Sequence, residues 1–239
     1  MDNFSVFIGF DPREAACFAV ARSSVSRRLT APWPVRGLVL GELQARRLYT
    51  RPVEVRNGKL FDPISDHHMS TEFAISRFLV PQLAGSGWAL FMDCDQMARV
   101  NLAAELVPLL DPRFAVMCVK HDHRPAEATK MDGQVQATYH RKNWSSVMAF
   151  NCDHPANDAL TVELVNSLPG RDLHRFCWLE NDQVGDLPAR FNYLVGYTEL
   201  AEREEPAIVH WTSGAPCMVG FDDVEYAGEF QEELIRWAR

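Results

Sequence analysis

Residues 4–41 constrain the fold more than any other stretch of this chain. An apolar run of strand length, "FSVFIGF" (4–10), is closed by Asp11-Pro12. "EAACFAVARSSVSRR" (14–28) repeats small and apolar residues at helical spacing. Arg22, Arg27 and Arg28 lie towards its end, where cations complement the helix dipole. "VRGLVLG" (35–41) is a second short apolar run. Strand, helix and strand within about 40 residues make a βαβ unit. The pattern predicts an α/β fold with a mostly parallel central sheet flanked by helices.

The rest of the chain continues this alternation. Residues 42–69 read as irregular, with "RNGK" a turn and "FDPISDHH" a loop. "STEFAISRFLVPQLAG" (70–85) predicts a helix with Ser70 or Thr71 as N-cap, ending near Pro81 and Gly85. "WALFMDCD" is a buried strand, "NLAAELVPLLD" a short helix, and "FAVMCVK" (114–120), "WSSVMAFNC" (144–152) and "AIVHWTSG" (207–214) are strands. "PANDALTVELVNSL" (155–168) and "GEFQEELIRWAR" (228–239) read as helices, the last without the basic face of a membrane-surface helix. The polar segment 121–143 has no period, and its length suggests a lid or a loose excursion. No repeat or linker divides the chain, so one domain over 1–239 is expected.

A formal net charge of −8 argues against a general nucleic-acid binder, which needs a basic face. The six cysteines are scattered without a CxxC pair, which predicts buried free thiols. The N-terminus has no basic region ahead of a long apolar core, and no apolar run reaches the ~20 residues of a membrane span. These features predict neither signal peptide nor transmembrane segment, and a reduced cytoplasmic setting.

In "WALFMDCDQMARV" (88–100), Asp93 and Asp95 stand where a buried strand should surface. Ligands of open α/β sheets bind outside the carboxyl ends of strands. In extended backbone, residues two apart point to one side, so both carboxylates can converge on a hard cation such as Mg²⁺ or Mn²⁺. The alternative is structural: the acids cap "NLAAELV" or lie on a solvated turn.

The run "STEFAISRFLVPQLAGSGWALFMDCDQMARVNLAAEL" resembles the central stretch of family 8 glycosyltransferases, the glycogenin and bacterial galactosyltransferase group. There a helix with a Ser/Ala-Arg pair leads through "LxP" to a strand ending in DxD and then a short helix. The matching residues are Ser76-Arg77, Leu79-Val80-Pro81, Asp93-Cys94-Asp95 and Asn101 to Leu106. In order, "WSSVMAFNC", "ENDQVGDLPARFNYL" and "AIVHWTSGAPC" resemble the family's later motifs, so the likeness spans roughly residues 4 to 217. It implies the GT-A fold, a Rossmann-like nucleotide-diphospho-sugar transferase architecture. Its N-terminal half would hold nucleotide and metal, and its C-terminal half the acceptor side and a closing histidine.

The resemblance further implies a glycosyltransferase using Mn²⁺ or Mg²⁺ and a UDP-sugar, with retention of configuration. The acceptor would be a glycan, a lipid-linked molecule or a small molecule. The implied metal ligands are Asp93, Asp95 and His210. Asp11 matches an acid that can accept from a uracil imide, and Arg77 a residue near the donor sugar and phosphates. Asp182 and Gln183 match the pair facing the reacting sugar. The chain also departs from the family. "HWTSGAPCM" lacks the lysine that contacts the diphosphate, leaving the metal or Arg13, Lys130, Arg141 or Lys142 to compensate. Trp144-Ser145-Ser146 replaces "NAG", and Asn143 is one position out of register. His67-His68 and "HDH" (121–123) do not complete a zinc pattern. "KHDHRP" is expected at the donor pocket, and "YHRKNW" is open between sugar or phosphate contact and a plain loop. Two other functions stay open: a non-catalytic nucleotide-sugar or glycan binder on the same scaffold, and a haloacid-dehalogenase-like phosphatase. The donor sugar, acceptor, linkage and oligomeric state are not legible.

Overall fold

A computed structural model describes residues 3–121 and 144–239. β1 (Phe4–Gly9) is buried at every position, as a strand covered on both faces must be. A 3-10 turn leads to α1 (Ala15–Arg28), which buries Cys17, Val20, Ala21, Ser24 and Val25 along one face. β2 (Val35–Leu38) pairs parallel with β1, which completes the predicted βαβ unit. It is shorter than the run 35–41, because Leu40 already opens α2 (Leu40–Ala45).

The stretch read as irregular contains a small antiparallel sheet of β3 (Glu54–Arg56), β4 (Lys59–Asp62) and β5 (His67–His68). Asn57 and Gly58 both have positive φ, 53° and 75°, as the two-residue turn of a tight hairpin requires. Every residue of β3 is exposed, so no apolar alternation betrays it. The helix predicted over 70–85 is also corrected. A 3-10 turn (Ser76–Leu79) precedes only a short α3 (Val80–Ala84), and neither Ser70 nor Thr71 caps it. Residues 73–81 are buried without a break, so this segment threads the interior. Pro81, which donates no N–H, lies in the first turn of α3 rather than inside a longer helix.

The next elements are β6 (Trp88–Met92), β7 (Gln96–Ala98), α4 (Leu102–Glu105), β8 (Val116–Cys118) and β9 (Val147–Asn151). They are followed by α5 (Val162–Ser167), α6 (Gly170–His174), β10 (Val184–Asp186), β11 (Tyr193–Leu194), β12 (Ile208–His210) and α7 (Ala227–Trp237). The main sheet has the order β10-β8-β9-β6-β1-β2. Only β9 runs against its neighbours, so the sheet is mostly parallel as expected. A second sheet, β11-β12-β7, stands at the carboxyl end of β6.

A second apolar cluster lies under α1 and α7, built from Cys17, Val20, Met97, Val209, Trp211, Ala215 and Phe230. Ser24 on α1 accepts the Ala98 N–H of β7 at 3.0 Å, which anchors α1 to that sheet. Across α1 and α7, the buried Glu233 accepts from Ser23 (2.6 Å), Arg27 Nη2 (2.7 Å) and Arg28 Nη1 (3.1 Å). Burial alone would raise this carboxyl, but the bonds from Arg27, Ser23 and Arg28 hold it down to about 2. A depressed folded value means the stabilisation is complete above about 4.5 and is lost as pH falls towards about 2. Glu233→Gln should therefore cost on the order of 2 kcal/mol at neutral pH. Urea melts of both proteins should show that difference shrinking below the ordinary glutamate range.

Candidate metal centre

β6 delivers Asp93 as the residue after its last position, with the Asp93 N–H bonded to Ser146 O at 3.0 Å. Cys94 and Asp95 then form a turn into β7. The acids therefore converge through a turn, and not through the extended backbone expected from their spacing. β7 pairs antiparallel with β12, placing Gln96 opposite His210, and the Trp211 N–H bonds Asp95 O at 3.0 Å. Ligand atoms of Asp93, Asp95 and His210 all lie within 4.8 Å of one another. Among the described residues this is the one group of three or more such side chains close enough to share an ion.

The surroundings suit a cation. Asp95 Oδ1 is buried without a hydrogen-bond partner among the described residues, and it lies 3.5 Å from His210 Nε2. A buried carboxylate oxygen left without a donor is costly, and an ion would relieve it. His210 is 2% exposed, and its Nδ1 lies 2.9 Å from Asn192 Oδ1. Asn192 Nδ2 donates to Ser146 Oγ at 2.8 Å, which orients the amide. With that orientation Nδ1 carries the proton and Nε2 presents its lone pair towards Asp95. Two carboxylates and a neutral imidazole are a donor set that fits Mn²⁺ or Mg²⁺.

Arg77 is buried beside the acids, with Nη1 2.8 Å from Asp93 Oδ1 and 2.9 Å from Ser145 O. Its guanidinium carbon lies 4.9 Å from the Phe91 ring centroid and 5.3 Å from that of Phe73. A Cβ at Gly9 would come within 2.4 Å of the Phe73 ring, so the end of β1 admits no larger residue without moving this support. Asp11 is fully buried. It accepts from Arg13 Nε (2.9 Å) and Nη2 (2.6 Å), and from the backbone N–H groups of Arg13 (2.9 Å) and Glu72 (3.0 Å). Burial would raise the Asp11 carboxyl, but the bonds from Arg13 and Glu72 outweigh it and lower it. The oxygens expected to receive a base are thus engaged in closing the loop after β1, with the exposed Arg13 as their partner.

Asp182 and Gln183 are not brought to this centre. β10 runs in the same sense as β6, since β8 and β6 both run against β9. The pair precedes β10, and Gln183 O accepts from Ala115 N at the start of β8. That level matches Trp88, roughly 16 Å from Asp93 along the strand direction at the usual strand rise. Gln183 Oε1 instead accepts the Glu180 N–H at 2.9 Å, in a capping box. The end of β10 nearer Asp93 carries Asp186, 3.1 Å from Lys120 Nζ. Lys130, Arg141, Lys142, Asn143, "HDH" beyond His121 and most of "YHRKNW" lie outside the described residues.

Sequence reasoning missed Asn192, and it singled out Ser145 and Ser146 only as a departure from "NAG", not as partners of Arg77 and Asn192. Ser145 Oγ also lies 2.6 Å from His174 Nδ1. Sequence reasoning also missed Glu14, which accepts from Cys94 Sγ at 2.9 Å. The one available signal for Glu14 was its place in the turn between the first strand and the first helix. Burial, and then the charge of Asp95, push the Glu14 carboxyl up to about 7. A raised folded value in an acid makes ionisation a cost, so this site loses stability as pH rises from about 4.5 to about 7. In metal-free protein, Glu14→Gln should stabilise by on the order of 1–2 kcal/mol at pH 8 and give no gain at pH 5. Urea melts at the two pH values check it.

No family model matches the chain. Among solved structures it is similar to the apo WbbM bifunctional glycosyltransferase (TM-score 0.64, 18% identity), covering 98% of this chain and 50% of that one. It is similar to the apo glycosyltransferase GlyE of Streptococcus pneumoniae TIGR4 (TM-score 0.62, 14% identity; 99% and 61% covered). It is also similar to the galactosyltransferase LgtC in complex with donor and acceptor sugar analogs (TM-score 0.57, 13% identity; 97% and 95% covered). The chain thus spans about half the length of the first and under two thirds of the second. At these identities the likeness shows the fold, which is GT-A. In sequence the chain is 40% identical over 235 residues to protein CDI of Arabidopsis thaliana, covering 97% of this chain and 86% of that protein, and it belongs to the protein CDI family.

Proposed function

We propose that this chain is a metal-dependent glycosyltransferase of the family 8 type, moving a hexose or related sugar from a nucleotide diphosphate, UDP first, to an acceptor hydroxyl. The observation that carries this reading is the Asp93–Asp95–His210 cluster at the carboxyl end of β6 on a GT-A fold. Asp93, Asp95 and His210 would hold Mn²⁺ or Mg²⁺. When bound, the ion supplies positive charge for the departing diphosphate. Arg77 fixes the direction of Asp93 by its 2.8 Å contact, and Asn192 fixes the His210 tautomer through Nδ1. Retention of configuration rests on the resemblance alone. Because Asp182 and Gln183 stand at the far end of the sheet, neither is assigned a role on the sugar.

That same displacement favours a second reading, a nucleotide-sugar binder on this scaffold that performs no transfer. It predicts UDP binding without slow hydrolysis of any UDP-sugar. In either case a reduced cytoplasmic setting is proposed. No helix among the described residues is long and apolar enough to cross a membrane.

Isothermal titration with UDP in the presence and absence of Mn²⁺ is the direct test. The wild type should bind UDP with a Mn²⁺-dependent gain, and Asp95→Asn should lose at least tenfold of that affinity while still melting cooperatively. UDP binding by Asp95→Asn equal to wild type would remove this carboxylate from the site. No UDP binding by the wild type under either condition would overturn the function.

A further inference from the structure

Two thiols from opposite ends of the chain meet beside the metal centre. Cys17 lies on the first full turn of α1 and is completely buried. Cys217 lies in the turn after β12 and is exposed. Their sulfur atoms are 2.8 Å apart across 200 positions of sequence, and both are free thiols. The segment carrying Cys217 is well anchored. Trp211 N–H bonds Asp95 O at 3.0 Å, its indole N–H bonds Glu225 O at 2.9 Å, and Met218 N–H bonds Ala215 O at 2.8 Å. Backbone order therefore holds the two sulfurs together.

We propose that Cys17 and Cys217 form a site of oxidative modification, closing to an intramolecular disulfide that staples the segment behind His210 to the first helix. The pair is asymmetric in a way that suits this chemistry. Cys217 is exposed and Cys17 completely buried, so an oxidant in solution reaches Cys217 first; contact with Cys17 lowers the Cys217 thiol, while that contact and burial raise Cys17. Cys217 is thus the attacking thiolate and Cys17 the resolving thiol. With a small-molecule disulfide such as oxidised glutathione as oxidant, the Cys217 thiolate attacks one sulfur, forms a mixed disulfide and expels one glutathione thiolate. Cys17, giving its proton to that leaving thiolate or to water, then attacks the Cys217 sulfur. The mixed bond breaks and the second glutathione thiolate leaves. Two protein thiols are oxidised and one glutathione disulfide is reduced to two thiols. Of the other four cysteines, Cys94 donates to Glu14, Cys118 is buried, Cys152 is half-buried and Cys177 is exposed.

The inference does not depend on sugar transfer, and its test uses no activity. The full chain, freed of metal, is incubated in glutathione buffers from fully reduced to fully oxidised, acid-quenched, alkylated and mapped by mass spectrometry. The expected product is lighter by two hydrogens, carries a Cys17–Cys217 cross-linked peptide pair, reverts with dithiothreitol and melts at a higher temperature than the reduced chain. Cys217→Ser, at an exposed position, should fold as wild type, form no link and show no oxidant-dependent rise. The proposal is overturned if both thiols remain alkylatable while exposed Cys177 takes up glutathione, or if Cys217 stops as a glutathione adduct.

Discussion

Arg77 is a buried cation, and a buried cation must be met by a carboxylate and by acceptors with little room for error. Asp93 meets its Nη1 at 2.8 Å, and Ser145 O accepts from the same nitrogen at 2.9 Å. The two phenylalanine rings around it come from β6 and from the segment before the 3-10 turn. This arrangement ties three separate parts of the chain to one point: the buried run 73–81, the end of β6 and the approach to β9. Asp93 is thereby aimed before any ligand arrives. His210 receives equivalent treatment from Asn192, which is itself fully buried and held by Ser146. Asp95 differs from both, since its Oδ1 has no such partner among the described residues. The cluster is two oriented ligands around one carboxylate oxygen that lacks a donor.

Much of the fold is legible in the sequence, because buried parallel strands are written as uninterrupted apolar runs. "FSVFIGF" and "WALFM" can be little else, and Asp93 then falls at a carboxyl strand end by simple counting. What fails does so for physical reasons. The segment 70–85 has helical spacing but is buried all round, so tertiary packing and Pro81 override its period. β3 is too exposed to carry an alternating signal, although Asn57-Gly58 marks its turn.

The site divides along a similar line. The residues that converge, Asp93, Asp95 and His210, sit at the ends of strands whose direction can be reasoned out. Asp182 and Gln183 match a motif as text, yet they precede β10, which runs towards the site's level and leaves them at its far end, with Asp186 at the nearer end. Asn192, Ser145 and Ser146 are polar residues whose partners are remote in sequence, and no spacing rule links Asn192 to His210. Glu14 belongs to the same class, because its neighbour Cys94 comes from the turn between β6 and β7, 80 positions away.

The position of β12 carries one more consequence. Its partner β7 is made early in the chain, but His210 is contributed late, after the whole main sheet has been specified. The three side chains of the candidate site therefore meet only where β12 has paired with β7, so the group is complete only once a strand 115 positions after Asp95 has docked beside it.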